Sequence, residues 1–268
     1  MALGGQYTRD YASCEMYEAR TGKWTRLPDM TTKRTGYPAA VACENGAKFR
    51  IFIFGGGKDF SSPLDSAEFI DIDVGGDVAD ASKWTLVDAK MSCARSFLTA
   101  VLLDANMIVI CGGQAADTAV STCESFDLTA LTFSPFPDML EPRFSHASVL
   151  YQGRLVVLGG RGPKINKCEQ FDSIENKWVP FPPLIEEHSY FGAVVIDDRL
   201  FVAGGSLNLN VEVFDGASWS IVTKLPQSRS YFSVECVEGK LVVLGGQTEQ
   251  VDVYDPANNS WSMLPILS

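Results

Sequence analysis

The chain has 268 residues, 46% of them hydrophobic, and a formal net charge of −11 at neutral pH. That length and apolar content can bury a large core within one domain. The acid excess argues against nonspecific binding to DNA, RNA or an anionic membrane, and no apolar stretch approaches the roughly 18 residues of a membrane-crossing helix.

The chain opens at Met-Ala-Leu-Gly-Gly5, directly inside a repeat, so no signal peptide is expected. Five further pairs follow apolar runs: Gly55-Gly56, Gly112-Gly113, Gly159-Gly160, Gly204-Gly205 and Gly245-Gly246. From Gly4-Gly5 onward the spacings are 51, 57, 47, 45 and 41 residues. A unit recurring at that length is the mark of a β-propeller array.

Each unit reads as four strands. A first strand opens on a basic residue, as in Arg143-Phe-Ser-His-Ala-Ser-Val-Leu-Tyr151, and ends in a polar turn. The second is an apolar run into the glycines, such as Leu200-Phe-Val-Ala-Gly-Gly205, and reads as buried on both faces. The third sets a carboxylate beside an aromatic: Glu15 with Tyr17, Glu68 with Ile70 and Phe69, Glu124 with Phe126, Glu169 with Phe171, Glu212 with Phe214, Asp252 with Tyr254. Asp127, Asp172, Asp215 and Asp255 follow as turn caps. The fourth begins at Trp24, Trp84, Phe133, Trp178, Trp219 or Trp261, large bodies suited to packing between sheets. Almost no helix is expected. The stretch Val74–Ser82 lengthens one loop and is expected to be exposed.

This pattern resembles the kelch repeat. Val251-Asp-Val-Tyr-Asp-Pro-Ala-Asn-Asn-Ser-Trp261 matches that family's third and fourth strands almost residue for residue, and the likeness recurs along the whole chain. The resemblance implies an all-β fold: a six-bladed β-propeller built from kelch repeats, as a single domain over 1–268. Strands count to six copies of the last three but five of the first, so the first blade is expected to be incomplete. Pro265-Ile-Leu-Ser268 is too short to supply the missing strand.

Seven cysteines include Cys14, Cys123 and Cys168 at one repeat position and Cys43 and Cys236 at another. Positions related by the repeat do not come within disulfide reach, and no Cys-x-x-Cys suggests zinc. Reduced thiols indicate a cytoplasmic protein, with nuclear residence also allowed.

A basic residue heads the first strand 16 or 17 residues before the glycine pair at Arg95, Arg143, His188 and Arg229; Arg34 takes the same place ahead of a longer turn. Two readings stand open. These heads pair with the third-strand carboxylates or cap neighbouring carbonyls, or they converge on one solvent-filled pocket and bind carboxylate or phosphate in bidentate fashion. Ser96, Ser145, Ser189, Ser230, Tyr190 and Tyr231 flank them. In kelch adaptors, arginines matching the heads line the substrate pocket, so the resemblance implies partner binding by these eleven residues. In such a pocket His188 would raise anion affinity as pH falls toward 6.

Signs of catalysis are few. Asp65–Asp73 with Trp84 and Arg95 looks like a blade of the copper radical oxidases, but His146 and His188 are the only histidines. No Gly-x-Ser-x-Gly, His-Glu-x-x-His or phosphate loop occurs. No catalytic residue, cofactor or metal is expected. The family resemblance implies a non-enzymatic module for a protein or acidic peptide partner, as a ubiquitin-ligase substrate receptor or a cytoskeletal, actin-related scaffold; the alternative is a sugar-processing or metal-dependent propeller enzyme, such as a sialate mutarotase.

Overall fold

The computed structural model describes residues 2–3, 12–18, 23–46, 48–59, 61–73, 83–163, 166–206, 208–246 and 248–264. Gly4-Gly5, the 74–82 loop and Pro265–Ser268 lie outside them. All described elements are strands or turns. The chain forms two compact units, 1–139 and 140–268.

In the first unit, β1 (Ala2–Leu3), β2 (Cys14–Glu18) and β3 (Lys23–Leu27) make a three-stranded antiparallel sheet. Next come β4 (Ala39–Asn45), β5 (Lys48–Phe54), β6 (Ala67–Asp73) and β7 (Thr85–Leu86), a four-stranded blade. The third sheet has β8 (Thr99–Asp104) and β9 (Met107–Cys111), then the small hairpin β10 (Gln114–Ala115) and β11 (Thr118–Ala119), then β12 (Cys123–Asp127) and β13 (Thr132–Phe136). Its four-stranded order is β13-β12-β9-β8.

The second unit holds three blades in plain meander order. They are β14 (Ala147–Tyr151), β15 (Arg154–Leu158), β16 (Cys168–Asp172) and β17 (Lys177–Phe181); β18 (Gly192–Ile196), β19 (Arg199–Ala203), β20 (Asn210–Phe214) and β21 (Trp219–Lys224); and β22 (Phe232–Val237), β23 (Lys240–Gly245), β24 (Val251–Asp255) and β25 (Ser260–Leu264).

The count of six blades is therefore corrected to five. The sheet on Trp24 has no inner strand beside β1 among the described residues, so it is not a full blade.

The second strands show why their sequences are apolar without alternation. Side chains alternate between the faces of a strand. Phe52 and Phe54 pack into one cluster with Ile108, Ile110 and Phe126, while Ile51 and Ile53 pack into another with Leu27, Ile70 and Trp84. In the second unit Leu200 and Val202 join one core and Phe201 and Ala203 the next. A blade between two others has no solvent face for its middle strands.

The tryptophans tie neighbouring sheets together. Trp84 Nε1 donates to Pro28 O at 2.9 Å, Trp219 Nε1 to Pro182 O at 3.0 Å and Trp261 Nε1 to Thr223 Oγ1 at 3.2 Å. Three of the rings also meet the aromatic opposite them on the third strand, with centroids 5.6 Å apart for Phe171 and Trp178, 5.3 Å for Phe214 and Trp219 and 5.2 Å for Tyr254 and Trp261. Phe133 fills the same role against Phe126 at 4.8 Å. At the far end of the hairpins, Asp127 Oδ1 accepts from the N–H groups of Thr129 and Ala130, and Asp215 Oδ1 from those of Ala217 and Ser218.

Candidate functional site

The five basic heads share one environment, and it is the interior. Arg34, Arg95, Arg143, His188 and Arg229 are at most 2% exposed. Arg143 Nη2 donates to Glu169 Oε1 at 2.5 Å, and Nη1 donates to Gly159 O at 2.6 Å and Lys167 O at 2.8 Å. Arg95 contacts Gly112 O, Thr122 O and Glu124 in the same way, and Arg229 contacts Gly245 O, Gln250 O and Asp252. Arg34 reaches Glu68 Oε1 through Nε at 2.8 Å and Gly55 O through Nη1 at 2.8 Å. His188 reproduces the set with a ring: Nδ1 lies 2.6 Å from Gly204 O and Nε2 3.0 Å from Glu212 Oε1.

The logic is local. Ending the second strand on two glycines leaves a carbonyl that no ladder satisfies, and a buried carbonyl must be paired. The head supplies that donor and neutralises a carboxylate that is itself buried. Burial draws the Arg34 guanidinium below its ordinary value, and Glu68 works against that shift. The glycines are required by space as well as conformation. A Cβ on Gly205, at φ +117°, would stand 2.5 Å from Ser189 O.

The carboxylate does a second job. Glu68 Oε2 accepts from Thr31 N at 2.9 Å, Glu124 Oε2 from Ser92 N at 2.9 Å, Glu169 Oε2 from Leu140 N at 2.6 Å and Glu212 Oε2 from Ile185 N at 2.9 Å. Each donor lies three residues before its head. Head, carboxylate and lead-in backbone thus close a ring of hydrogen bonds within each of these four blades.

The pocket reading of the heads accordingly fails on geometry. Their side chains are engaged by carboxylates and carbonyls rather than directed at a solvent-filled space, and both ring nitrogens of His188 are held in the interior. Ser96 and Ser145 are buried with them, whereas Ser189, Ser230, Tyr190 and Tyr231 are half-buried. Among the described residues no group of three or more His, Cys, Asp or Glu side chains is arranged for a metal.

Around the heads runs a rim of backbone. In four blades the residue after the head bonds the residue after the glycine pair. Phe144 N donates to Arg161 O at 3.0 Å and Arg161 N to Phe144 O at 2.7 Å. Ser96 and Gln114 exchange the same two bonds, as do Thr35 and Gly57.

The next residue is left-handed in every blade: Gly36 at φ 62°, Phe97 at 55°, Ser145 at 52°, Tyr190 at 55° and Tyr231 at 65°. For a residue with a Cβ this costs about 1–2 kcal/mol. In three of them the N–H meets the equivalent carbonyl of the preceding blade in the same unit: Phe97 N donates to Gly36 O at 2.8 Å, Tyr190 N to Ser145 O at 3.0 Å and Tyr231 N to Tyr190 O at 3.1 Å. Sequence reading named Ser145, Tyr190 and Tyr231 as flanks but gave no reason for their conformation.

Arg161 was missed altogether. It follows Gly160, is exposed, and sets its guanidinium carbon 5.8 Å from the Tyr190 ring centroid. The Tyr190 and Tyr231 centroids are 4.3 Å apart. The signal available was a charged residue placed after the glycines, where the other pairs are followed by Gln6, Gly57, Gln114, Ser206 and Gln247.

Comparison with known proteins agrees with the repeat architecture. The KLHDC2/KLHL20/DRC7 Kelch-repeats domain matches residues 1–205, and the Kelch motif matches residues 228–268. The chain belongs to the kelch-repeat family. Its fold class is thereby the all-β kelch propeller, generally a protein-interaction module. Kelch-like protein 33 of Homo sapiens is 26% identical over 159 residues, which are 56% of this chain and 26% of that protein.

Proposed function

We propose that this kelch chain is a non-enzymatic receptor for a partner protein or acidic peptide, which it holds on the rim formed by the residues after the heads and after the glycine pairs. The observation that carries the reading is the division of labour at the blade heads. Conserving one buried basic–carboxylate bracket per blade fixes the rim backbone, and rigid scaffolds presenting irregular connections are where binding sites concentrate. The rim of the second unit carries Phe144, Arg161, Ser189, Tyr190, Ser206 and Tyr231, a mixture of aromatic, cationic and hydroxyl groups that suits a peptide.

Kelch-like protein 33 shares the repeat, and a ubiquitin-ligase substrate receptor in the cytoplasm is the role we favour; a cytoskeletal scaffold would use the same face. A photo-crosslinking residue at Phe144, compared with one at Ile174 in the distal turn, tests the reading. Partner adducts from Phe144 and none from Ile174 are expected. Adducts from Ile174 alone would place binding on the opposite end of the blade.

A further inference from the structure

Cys111 closes β9 and Cys123 opens β12, and the two stand directly opposite each other in the antiparallel ladder. Residues opposed in this way share a face of the sheet. Just beyond them Gly112 N donates to Thr122 O at 3.1 Å. Cys111 and Cys123 are therefore a non-hydrogen-bonded pair, the closer kind, with Cα atoms about 4.5 Å apart. Bridged cysteines have Cα atoms roughly 4.4–6.8 Å apart, so the pair lies within disulfide reach. The two are not related by the repeat, and the exclusion that applies to Cys14, Cys123 and Cys168 does not touch them.

Among the described residues this blade alone sets thiol against thiol. The equivalent pairs are Leu3 with Cys14, Phe54 with Ala67, Leu158 with Cys168, Ala203 with Val211 and Leu244 with Val251. The third-strand cysteines also share one pose. Their thiols donate to the carbonyl two residues back, Cys14 to Ala12 O at 3.5 Å, Cys123 to Ser121 O at 3.6 Å and Cys168 to Asn166 O at 3.7 Å. A cysteine there is a packing residue of the repeat. Cys111 is the departure, standing where the other sheets place Leu, Phe or Ala.

Position gives the pair its consequence. Arg95 Nη1 donates to Gly112 O at 3.2 Å and to Thr122 O at 2.9 Å, the residues next to the two cysteines. The pair thus sits where the ladder ends and the Arg95 bracket begins, with the β10–β11 hairpin leading out between them. Strand ends open at lower free energy than strand middles, and that opening admits a small oxidant to thiols that are 0% and 3% exposed in the closed blade.

We propose that Cys111 and Cys123 are a redox modification site, a reversible cross-strand disulfide that closes the loop 112–122 and locks the head end of the third blade. The oxidant is a hydroperoxide. One thiol loses its proton and attacks the peroxide, releasing water and leaving a sulfenic acid. The Cys123 thiol turns about one bond away from Ser121 O, and the S–S bond forms with loss of a second water. Two thiols and one hydrogen peroxide thus give one disulfide and two waters, and a thiol reductant reverses the bond by exchange. In a reducing compartment such bonds are transient and sensing rather than structural.

The test treats the native full chain with hydrogen peroxide, denatures it in alkylating reagent and maps it by mass spectrometry without reduction. Cys111→Leu, which copies Leu158 opposite Cys168, and Cys123→Ala, which copies Ala67, are treated alongside. A peptide pair joined through Cys111 and Cys123, lighter by two hydrogens and separated by dithiothreitol, is expected in wild type. Tm should rise by about 4 °C or more on oxidation of wild type and stay unchanged in both variants. Cys236 is exposed and reports that the oxidant has acted. Cys111 and Cys123 recovered as alkylated thiols or sulfinic acids while Cys236 is oxidised, or either one joined to a different cysteine, overturns the site. A linked pair that forms only in denaturant, or that leaves Tm level or lowers it, overturns the lock. Should the variants fail to fold, the wild-type map and its Tm decide.

Discussion

Pro226 stands three residues before Arg229 and has no N–H, and the carboxylate it would otherwise serve is the shorter Asp252. In the four other blades that position donates to a glutamate. The last blade has lost donor and reach together, and its lead-in is held by an exposed bond from Gln227 Nε2 to Gln250 Oε1 at 2.7 Å. The pair Pro226→Leu and Asp252→Glu should therefore restore the ring jointly but not singly. A charge-assisted hydrogen bond contributes about 1.5–3 kcal/mol, so a favourable coupling of about that size is expected in a thermal-denaturation double-mutant cycle. Additive effects would show that the two changes are unrelated.

The same relationship predicts where the fold opens first. Amides of β22 should exchange faster than those of β14 and β18, whose lead-ins are clamped by Glu169 and Glu212. Hydrogen exchange resolved by residue measures this, and equal protection in the three inner strands would contradict it.

Arg143→Met alone leaves Glu169 charged and buried, and such a break costs about 3–5 kcal/mol. Arg143→Met with Glu169→Leu should cost clearly less than the sum, because the orphaned charge is gone. Chemical denaturation of the two variants decides between an interior bracket and a dispensable pair.

Ser145 combines a left-handed backbone with a buried hydroxyl that has no partner among the described residues. Ser145→Gly removes both penalties and copies Gly36. A stabilisation of about 1 kcal/mol is expected, seen as a rise in Tm; a fall would mean that the hydroxyl is paired.

The turn aspartates set an acid limit. Backbone N–H groups of Ser218 and Ala217 hold the Asp215 carboxyl below its ordinary value of 3.8, and those of Ala130 and Thr129 do the same for Asp127. A lowered folded value stabilises above the ordinary pKa and is lost as pH falls through the folded one. The Tm gap between wild type and Asp215→Ala should therefore be constant from pH 7 to 5 and shrink below pH 4.

Period and position made most of the architecture legible. The glycine pairs located the second strands, and the recurring Glu–aromatic–Trp order located the third and fourth, because buried repeats leave little freedom in those residues. Six pairs overstated the blades, since the sheet on Trp24 contains β1–β3 without an inner strand among the described residues. The heads were found by register, but register does not say which way a side chain points. Gly55 O and its equivalents decided that, as unpaired carbonyls which only a donor from the head satisfies. Tyr190 and Tyr231 read as ordinary flanks because a left-handed φ has no signature in a tyrosine. Arg161 escaped because it occurs in one repeat and periodic reading discards what does not recur.

The buried heads hold the rim, and that rim is the partner site we propose. Stability and partner affinity measured together on Arg161→Gln and on Arg143→Met/Glu169→Leu test it most directly, using the partner crosslinked at Phe144. Arg161→Gln is expected to keep its Tm within about 1 °C and to lose at least tenfold in affinity, while the double variant loses Tm and binds normally where it is folded. The reverse pattern, with affinity lost in the folded double variant and retained in Arg161→Gln, would contradict it.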